Sequence, residues 1–352
     1  MLSSVRLQRF RSYRDESFEF DPGVNIIVGP NASGKTNLLE SILVASIGVS
    51  FRAKDIELMA FGAPWARIDV QGIDISRVVK ILPQSNGLVK KEYEIQGQKL
   101  KRLNLQKTIP VVLFEPNHLL LLHGSPDMRR EYLDNLLEQT VPGYSKVRRD
   151  YRRVLAQRNA LLKRGKGIEK QLFAWNIRLS EAGYHVALAR HSMVERINKH
   201  INHLYCDLAS TTTAEVIVSY GTCCDINQYS SGLLSALEKR QSVDIERGYT
   251  TIGPHREDMK ITFGGREASE VASRGETRTV LLGLKIIELQ LIEEARESKP
   301  LLLLDDVFSE LDGRRRKALT EVISGYQTFI TTTDADVVVQ HFMENCHIIP
   351  LG

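Results

Sequence analysis

The sequence predicts an α/β protein: a head of mixed sheets with helices, split by an inserted, mainly α-helical arm. Three observations predict it. Strand-like runs broken by Gly, Pro and Asn turn signals fill both ends of the chain. The middle is rich in Leu, Arg, Glu, Ala and Gln, with apolar residues three and four apart. A glycine-rich loop ending in Lys35 and an acidic strand end at Asp305 lie 270 residues apart, yet serve one chemistry. Both ends of the chain must then reach one sheet, and the helical middle is an insertion.

The bulk numbers fit that picture. The chain has 352 residues, comfortable for two domains, and is 42% hydrophobic and 26% charged, which excludes disordered and fibrous classes. No apolar stretch approaches the roughly 18 residues of a membrane span. The first residues, MLSSVRLQRFRSYRDE, carry charges every few positions and no apolar signal core. A cytoplasmic protein without a membrane partner is expected. Cys206, Cys223, Cys224 and Cys346 form no CxxC pair and read as reduced thiols.

Taken in order, SVRLQRF, SFEF, VNIIV, ARIDVQG, RVVKIL, KEYEI and VVLF read as short strands up to about Pro116. From about Ser125 to Leu208 the pattern is helical, with PG at 142–143 and GKG at 165–167 as helix–helix turns. AEVIVSYG, TTIGPHRED and MKITFGG follow, then a long helix, the strand KPLLLLDD, another helix and TFITTTD. The expected head comprises 1–120 and 245–352, and the expected arm 121–244.

GPNASGKT matches G-x-x-x-x-G-K-[ST], with Gly29, Gly34, Lys35 and Thr36 in place. Glycines let the backbone curl so that successive N–H groups point at a phosphate. Gly29, Pro30, Asn31, Ala32, Ser33, Gly34, Lys35, Thr36 and Asn37 are the candidate nucleotide-binding residues. Lys35 would bring charge to the β and γ oxygens of ATP, and Thr36 a hydroxyl to Mg²⁺. The loop follows strand-like VNIIV and opens the helix NLLESILVAS, whose positive end faces the same phosphates. PLLLLDDVFSELD supplies the acids: Asp305 as metal ligand beside Thr36, and Asp306 to orient or deprotonate water. With Lys35 and Ser273, Asp306 completes the catalytic candidates. A small nucleotide kinase is the rival reading, but it brings its acid much sooner in the chain.

Ser273 and Glu276 form S-x-x-E, a capping box at the start of VASRGETRTVLLGLKIIELQLIEEA. A well-capped buried helix would need no more than this. Yet Ser273, Arg274, Gly275 and Glu276, just ahead of an acidic strand, resemble the signature of ABC-type P-loop ATPases. That resemblance implies that Ser273 meets the γ-phosphate in trans, within an ATP-dependent homodimer. Ser309 and Asp312 in SELD are similar to the D-loop of the same class. Where many such heads carry a histidine after the next strand, this chain has Thr333 and Asp334.

The chain resembles the RecF family of DNA repair proteins nearly end to end. LQRFRSYRDESFEFDPGVNIIVGPNASGKTNLLESI, VVLFEPNHLLLLHGSPDMRREYLDNLL, TTIGPHREDMKITFGG, ASRGETRTVLLGLKIIEL and PLLLLDDVFSELD carry the likeness in order. It implies a weak, DNA-stimulated ATPase acting as a switch in recombinational repair, binding double-stranded DNA at gaps or single-strand/double-strand junctions. It further implies partnership with RecR and RecO type mediators and, indirectly, RecA. Arg11 and Ser12 in FRSY, and Arg52, are expected near the nucleotide. A chromosome-maintenance ATPase of the SMC kind is the alternative, but no heptads run over the length it needs.

Net charge is only +4, but Lys146 to Lys170 holds ten Lys/Arg against two acids. On a helix, Arg148/Arg152 and Arg149/Arg153 fall one turn apart, with Lys163, Arg164 and Lys166 beyond. Most charge runs are solvated faces. This one is dense enough to track a phosphate backbone, and no interleaved aromatics suggest single-strand stacking. His255 in GPHRED, His118 and His123 read as scaffold.

Overall fold

Alternation, shifted in register between Leu2 and Ser4, makes the first sheet. In β1 (Leu2–Phe10), Leu2, Val5, Leu7 and Phe10 are buried while Arg6 and Arg9 face out. The computed structural model describes every residue except 85, 86, 166, 212–214, 335–337, 339–341, 343–345 and the side chain of Ser309. Lys166 thus lies outside the described residues. Next come β2 (Tyr13–Glu19), β3 (Val24–Val28), α1 (Lys35–Ile47), β4 (Ala66–Gly72), β5 (Ile75–Pro83), β6 (Val89–Ile95), β7 (Gln98–Leu100) and β8 (Val111–Phe114). The middle holds α2 (Leu120–His123), α3 (Pro126–Thr140), α4 (Tyr144–Leu162), α5 (Glu169–Ala209), β9 (Val216–Gly221), α6 (Tyr229–Lys239), α7 (Gln241–Arg247), β10 (Asp258–Phe263), β11 (Arg266–Glu267) and α8 (Ala268–Val271). The chain ends with α9 (Arg274–Arg296), β12 (Leu301–Asp305), α10 (Gly313–Ile323), β13 (Thr328–Thr332) and β14 (Cys346–Pro350).

The chain divides into two compact units, one of 1–118 with 288–352 and one of 119–287. Residues 245–287, expected in the head, therefore pack with the arm elements. Their strand β10 pairs antiparallel with β9, Ile261 opposite Val218.

The first unit has two sheets. One is antiparallel, in the order β2-β1-β4-β5-β6-β7; the other is parallel, in the order β14-β3-β13-β12-β8. β3, β8, β12 and β13 are buried almost throughout, the pattern of strands covered on both faces. Leu38, Leu39, Ile42 and Val44 of α1 share one core with Val5, Leu7 and Ile68 of the first sheet and Ile27, Leu303 and Phe329 of the second. The parallel order puts β3, from the start of the chain, beside β13, with β12 next, so the phosphate loop and the acidic strand end share one sheet edge.

In the second unit, Leu172, Leu179, Val186 and Met193 of α5 recur every seven residues and are buried. The expected turns are present: Gly143 caps α4 at φ 84°, and Gly165 and Gly167 take positive φ between α4 and α5. TTIGPHRED is a turn, closed by Arg256 N–H donating to Gly253 O at 2.8 Å. Arg190 holds Asp134 through two bonds of 2.9 and 3.0 Å and donates to Pro254 O, fastening this turn to α5 and α3.

Candidate nucleotide site

The loop between β3 and α1 needs its glycines for space. A Cβ at Gly29 would stand 2.4 Å from Leu351 O, and one at Gly34 2.8 Å from the Tyr13 hydroxyl. Gly34 also adopts φ 101°, open to glycine and strained for other residues. Ala32 takes φ 67° at the exposed tip beside Pro30 and Asn31. Tyr13 is buried and donates to Gly34 O at 3.0 Å, bracing the loop from β2.

Lys35 is only 8% exposed, and its ammonium donates to Gly29 O at 2.7 Å and Pro30 O at 2.8 Å. Both partners are neutral carbonyls. The hydroxyl of Ser33 is buried with no hydrogen-bond partner. A buried cation on uncharged partners, beside an unsatisfied hydroxyl, is a costly arrangement that an anion relieves. These residues fit a phosphate chain.

Thr36 Oγ1 donates to Asp305 Oδ1 at 3.0 Å, closing the 270-residue gap between loop and acidic strand. A hydroxyl and a carboxylate so placed are the hard oxygen ligands that Mg²⁺ prefers. Thr331 Oγ1 donates to the same Asp305 oxygen at 2.7 Å and accepts from Asp306 N–H at 2.9 Å. Asp306 is exposed and adopts φ 52°, a left-handed backbone uncommon outside glycine. β13 thus orients both acids, a role the sequence does not signal.

Arg11 does not point at the loop. It makes a two-pronged pair with Glu40 at 2.8 Å each, and Glu40 is fully buried in α1. Arg52 also reaches Glu40 and donates to Asn37, while Asn37 Nδ2 donates to Ser12 Oγ at 2.8 Å. Burial alone would raise the Glu40 carboxyl; hydrogen bonds from Arg11, Ser50 and Arg52 outweigh it and hold it below its ordinary value. A lone acid in the apolar stretch NLLESILV was the signal available for this hub.

The capping box is in place on α9: Ser273 N–H donates to Glu276 Oε2 at 2.7 Å, and Glu276 N–H to Ser273 Oγ at 3.2 Å. Hydrogen bonding from Ser273 lowers the Glu276 carboxyl. Ser273 and Arg274 are exposed, with Gly275 half-buried, and all belong to the second compact unit. Asp312 caps α10 by accepting from Arg315 N–H at 3.0 Å; the side chain of Ser309, expected with it in a D-loop, lies outside the described residues. Asp334 N–H donates to Thr332 Oγ1 at 3.1 Å, closing a turn after β13.

The basic row on α4 needs one correction. Arg148 is turned inward, its side chain 12% exposed and 2.8 Å from both Asp134 and Glu138. Position 148 faces α3, so its charge is already neutralised. Arg149, Arg152, Arg153, Lys163 and Arg164 are exposed, with Arg153 held loosely by Asp150 at 3.2 Å. The three histidines are scaffold: His118 accepts from Glu115 N–H, His123 lies between Ser269 O and Thr277 Oγ1, and His255 between Tyr151 OH and Thr250 O. Among the described residues no helix is long and apolar enough to cross a membrane.

Residues 1–349 match the model of the RecF/RecN/SMC N-terminal domain. The DNA replication and repair protein RecF of Heliobacterium modesticaldum is 36% identical over 343 residues, covering 94% of this chain and 92% of its own. That of Moorella thermoacetica is 35% identical and covers 100% of this chain and 95% of its own. Among solved structures, the recombination mediator protein RecF with ATPrS in the RecFOR pathway superposes with a TM-score of 0.87 at 31% identity. That match covers 99% of this chain and 96% of the other. An SMC head bound to the C-terminal winged-helix domain of ScpA, at 16% identity, covering 97% of this chain and 92% of its own, with TM-score 0.51, shares the fold.

Proposed function

We infer the function from one premise: this chain belongs to the RecF family of DNA replication and repair proteins. It is a P-loop ATPase head of recombinational DNA repair. The observation that carries the nucleotide reading is the buried Lys35 ammonium with two carbonyls for partners, next to the unsatisfied Ser33 hydroxyl. The solved relative with ATP in the RecFOR pathway, 31% identical over 95% of this chain and 92% of its own with TM-score 0.85, supports ATP as the ligand.

In this reading Lys35 leaves the loop carbonyls for the β and γ oxygens, and backbone N–H groups of the loop after Pro30 cradle the phosphates. Thr36 and Asp305 would hold Mg²⁺, which would supply positive charge to offset that of the phosphate chain. Asp306 accepts the proton of the attacking water as ATP becomes ADP and phosphate. Arg11, Ser12 and Arg52 act on the site through Glu40 and Asn37. Ser273 and the start of α9 complete the phosphate site of a second copy, so ATP closes two heads together. The closed dimer grips duplex DNA through Arg149, Arg152, Arg153, Lys163 and Arg164, and slow hydrolysis, stimulated by DNA, releases it. RecR and RecO type mediators then direct RecA to the gap in the cytoplasm.

Sedimentation with and without ATP tests this on wild type, Lys35→Ala and Ser273→Arg. An ATP-dependent dimer is expected only in wild type, with Ser273→Arg still binding nucleotide. A wild-type chain that stays monomeric with ATP bound overturns the switch.

A further inference from the structure

The row on α4 does not end at Arg164. Lys163 lays its stem over Gly248, its Cγ 3.7 Å from where a Cβ would stand. Gly248 precedes Tyr249, whose ring carries the Arg256 guanidinium at 5.3 Å from its centroid. Arg247 and Arg256 are exposed beside it. Lys163 and Arg256, from segments more than eighty residues apart, thus flank the Gly248–Tyr249 corner, with the exposed Arg247 just before it in the chain.

Tyr249 is 39% exposed, and its backbone is held on both sides. Gly248 N–H donates to Asp244 O at 2.9 Å, ending α7 in a left-handed turn. Thr250 N–H donates to Asn159 Oδ1 at 2.9 Å. Arg158, fully buried in α4, donates to Asp244 at 2.8 Å and to Thr250 Oγ1 at 2.6 Å. The nearest acids face inward: Asp244 onto Arg158, and Glu257 onto Tyr220, Tyr229 and Cys223 N–H. Asp127 is paired to Arg130, leaving Glu246 as the exposed acid of the segment. A loop held on both sides therefore leaves more than a third of a large aromatic side chain in solvent, with mostly cationic neighbours in the chain.

We propose that Tyr249, with Lys163, Arg247 and Arg256, is a site for an unpaired nucleotide at the end of a duplex lying along α4. This rests on the DNA-binding reading above. Inside a duplex, paired bases are stacked on one another and offer only their edges, so an aromatic ring has no partner along its length. A splayed base offers a face, and base–aromatic stacking tolerates any sequence. The cations take the phosphates on either side, continuing the backbone track of Arg149, Arg152 and Arg153. The site reads the transition from paired to unpaired nucleic acid.

The test uses the full chain with ATP and Mg²⁺, and two fluorescent DNAs: a blunt duplex and the same duplex with a short single-stranded overhang. Wild type is expected to prefer the overhang. Tyr249→Ala removes about tenfold of overhang affinity, the scale of a lost stacking platform, and leaves blunt binding unchanged. Tyr249→Phe keeps the preference, and thermal melts check that both variants fold. A 2-aminopurine at the first unpaired position should be quenched by wild type and not by Tyr249→Ala. Equal loss on both DNAs, no loss on either, or no overhang preference in wild type overturns the site while the duplex reading stands. Failure of wild type to bind blunt duplex overturns that reading, and the site with it.

Discussion

Thr331 Oγ1 lies 2.7 Å from Asp305 Oδ1 and donates to the carboxylate that Thr36 also contacts at 3.0 Å. The same hydroxyl accepts the Asp306 N–H, so one side chain on β13 fixes both acids at the end of β12. If these acids hold the metal and the attacking water, Thr331 is a positioning residue for hydrolysis. Thr331→Val keeps the volume and deletes the hydroxyl. A hydrogen bond to a charged group is worth about 1.5–3 kcal/mol, so ATP turnover should fall roughly 10- to 100-fold. Binding of metal-free ATP should stay within a few-fold, and Thr331→Ser should restore turnover. Phosphate release and nucleotide titration read the two quantities separately. Equal loss of binding and turnover in Val, unrelieved by Ser, would mean that the hydroxyl supports the fold alone.

The basic row makes a graded prediction about salt. Five exposed cations, Arg149, Arg152, Arg153, Lys163 and Arg164, are placed for phosphate contacts, and Arg148 is not. Duplex affinity should fall by roughly two to three decades between about 50 and 200 mM salt, from a slope near −0.9 per contact. Arg153→Gln should make the slope shallower by about one. Arg148→Gln should leave the slope alone and lower the melting temperature, because it removes the cation shared by Asp134 and Glu138 and leaves Asp134 to Arg190. The reverse assignment in measured slopes would remove α4 from the DNA interface.

Local chemistry made the phosphate loop legible: the spacing of Gly29, Gly34, Lys35 and Thr36 carries its own geometry. The acidic strand was legible for the same reason, and pairing it with the loop forced the split architecture. Thr331 was not legible, since a threonine in TFITTTD gains its role only when β13 slots between β3 and β12. Arg148 misled because periodicity tells which side of a helix a residue is on, not what packs there. Its partners Asp134 and Glu138 come from α3, across a turn the sequence did reveal. The Tyr249 corner was hidden by distance: nothing at Gly248 announces Lys163 as a neighbour.

His255, in the turn that fastens the second unit together, gives a pH prediction. Its Nε2–H donates to Thr250 O at 3.0 Å, and its Nδ1 accepts from the Tyr151 hydroxyl at 2.7 Å. Burial, helped by the nearby positive charges of Arg256, Arg130 and Arg158, pushes the imidazole down to about 4. The unfolded chain, with an ordinary value near 6.5, then binds the extra proton first. Stability from the neutral ring is fully present above about pH 6.5 and is lost as pH falls toward about 4. The integrated loss is on the order of 3 kcal/mol across that window. Urea midpoints measured through this range should fall in wild type more steeply than in His255→Gln, which keeps a polar side chain and cannot titrate. The variant should start about 1 kcal/mol less stable at neutral pH, from an imperfectly replaced hydrogen bond, and the curves should converge on acidification. Parallel curves would show that His255 carries its charge in the folded protein as readily as in the unfolded one, and that the turn is held by Arg190 and Arg158 without it.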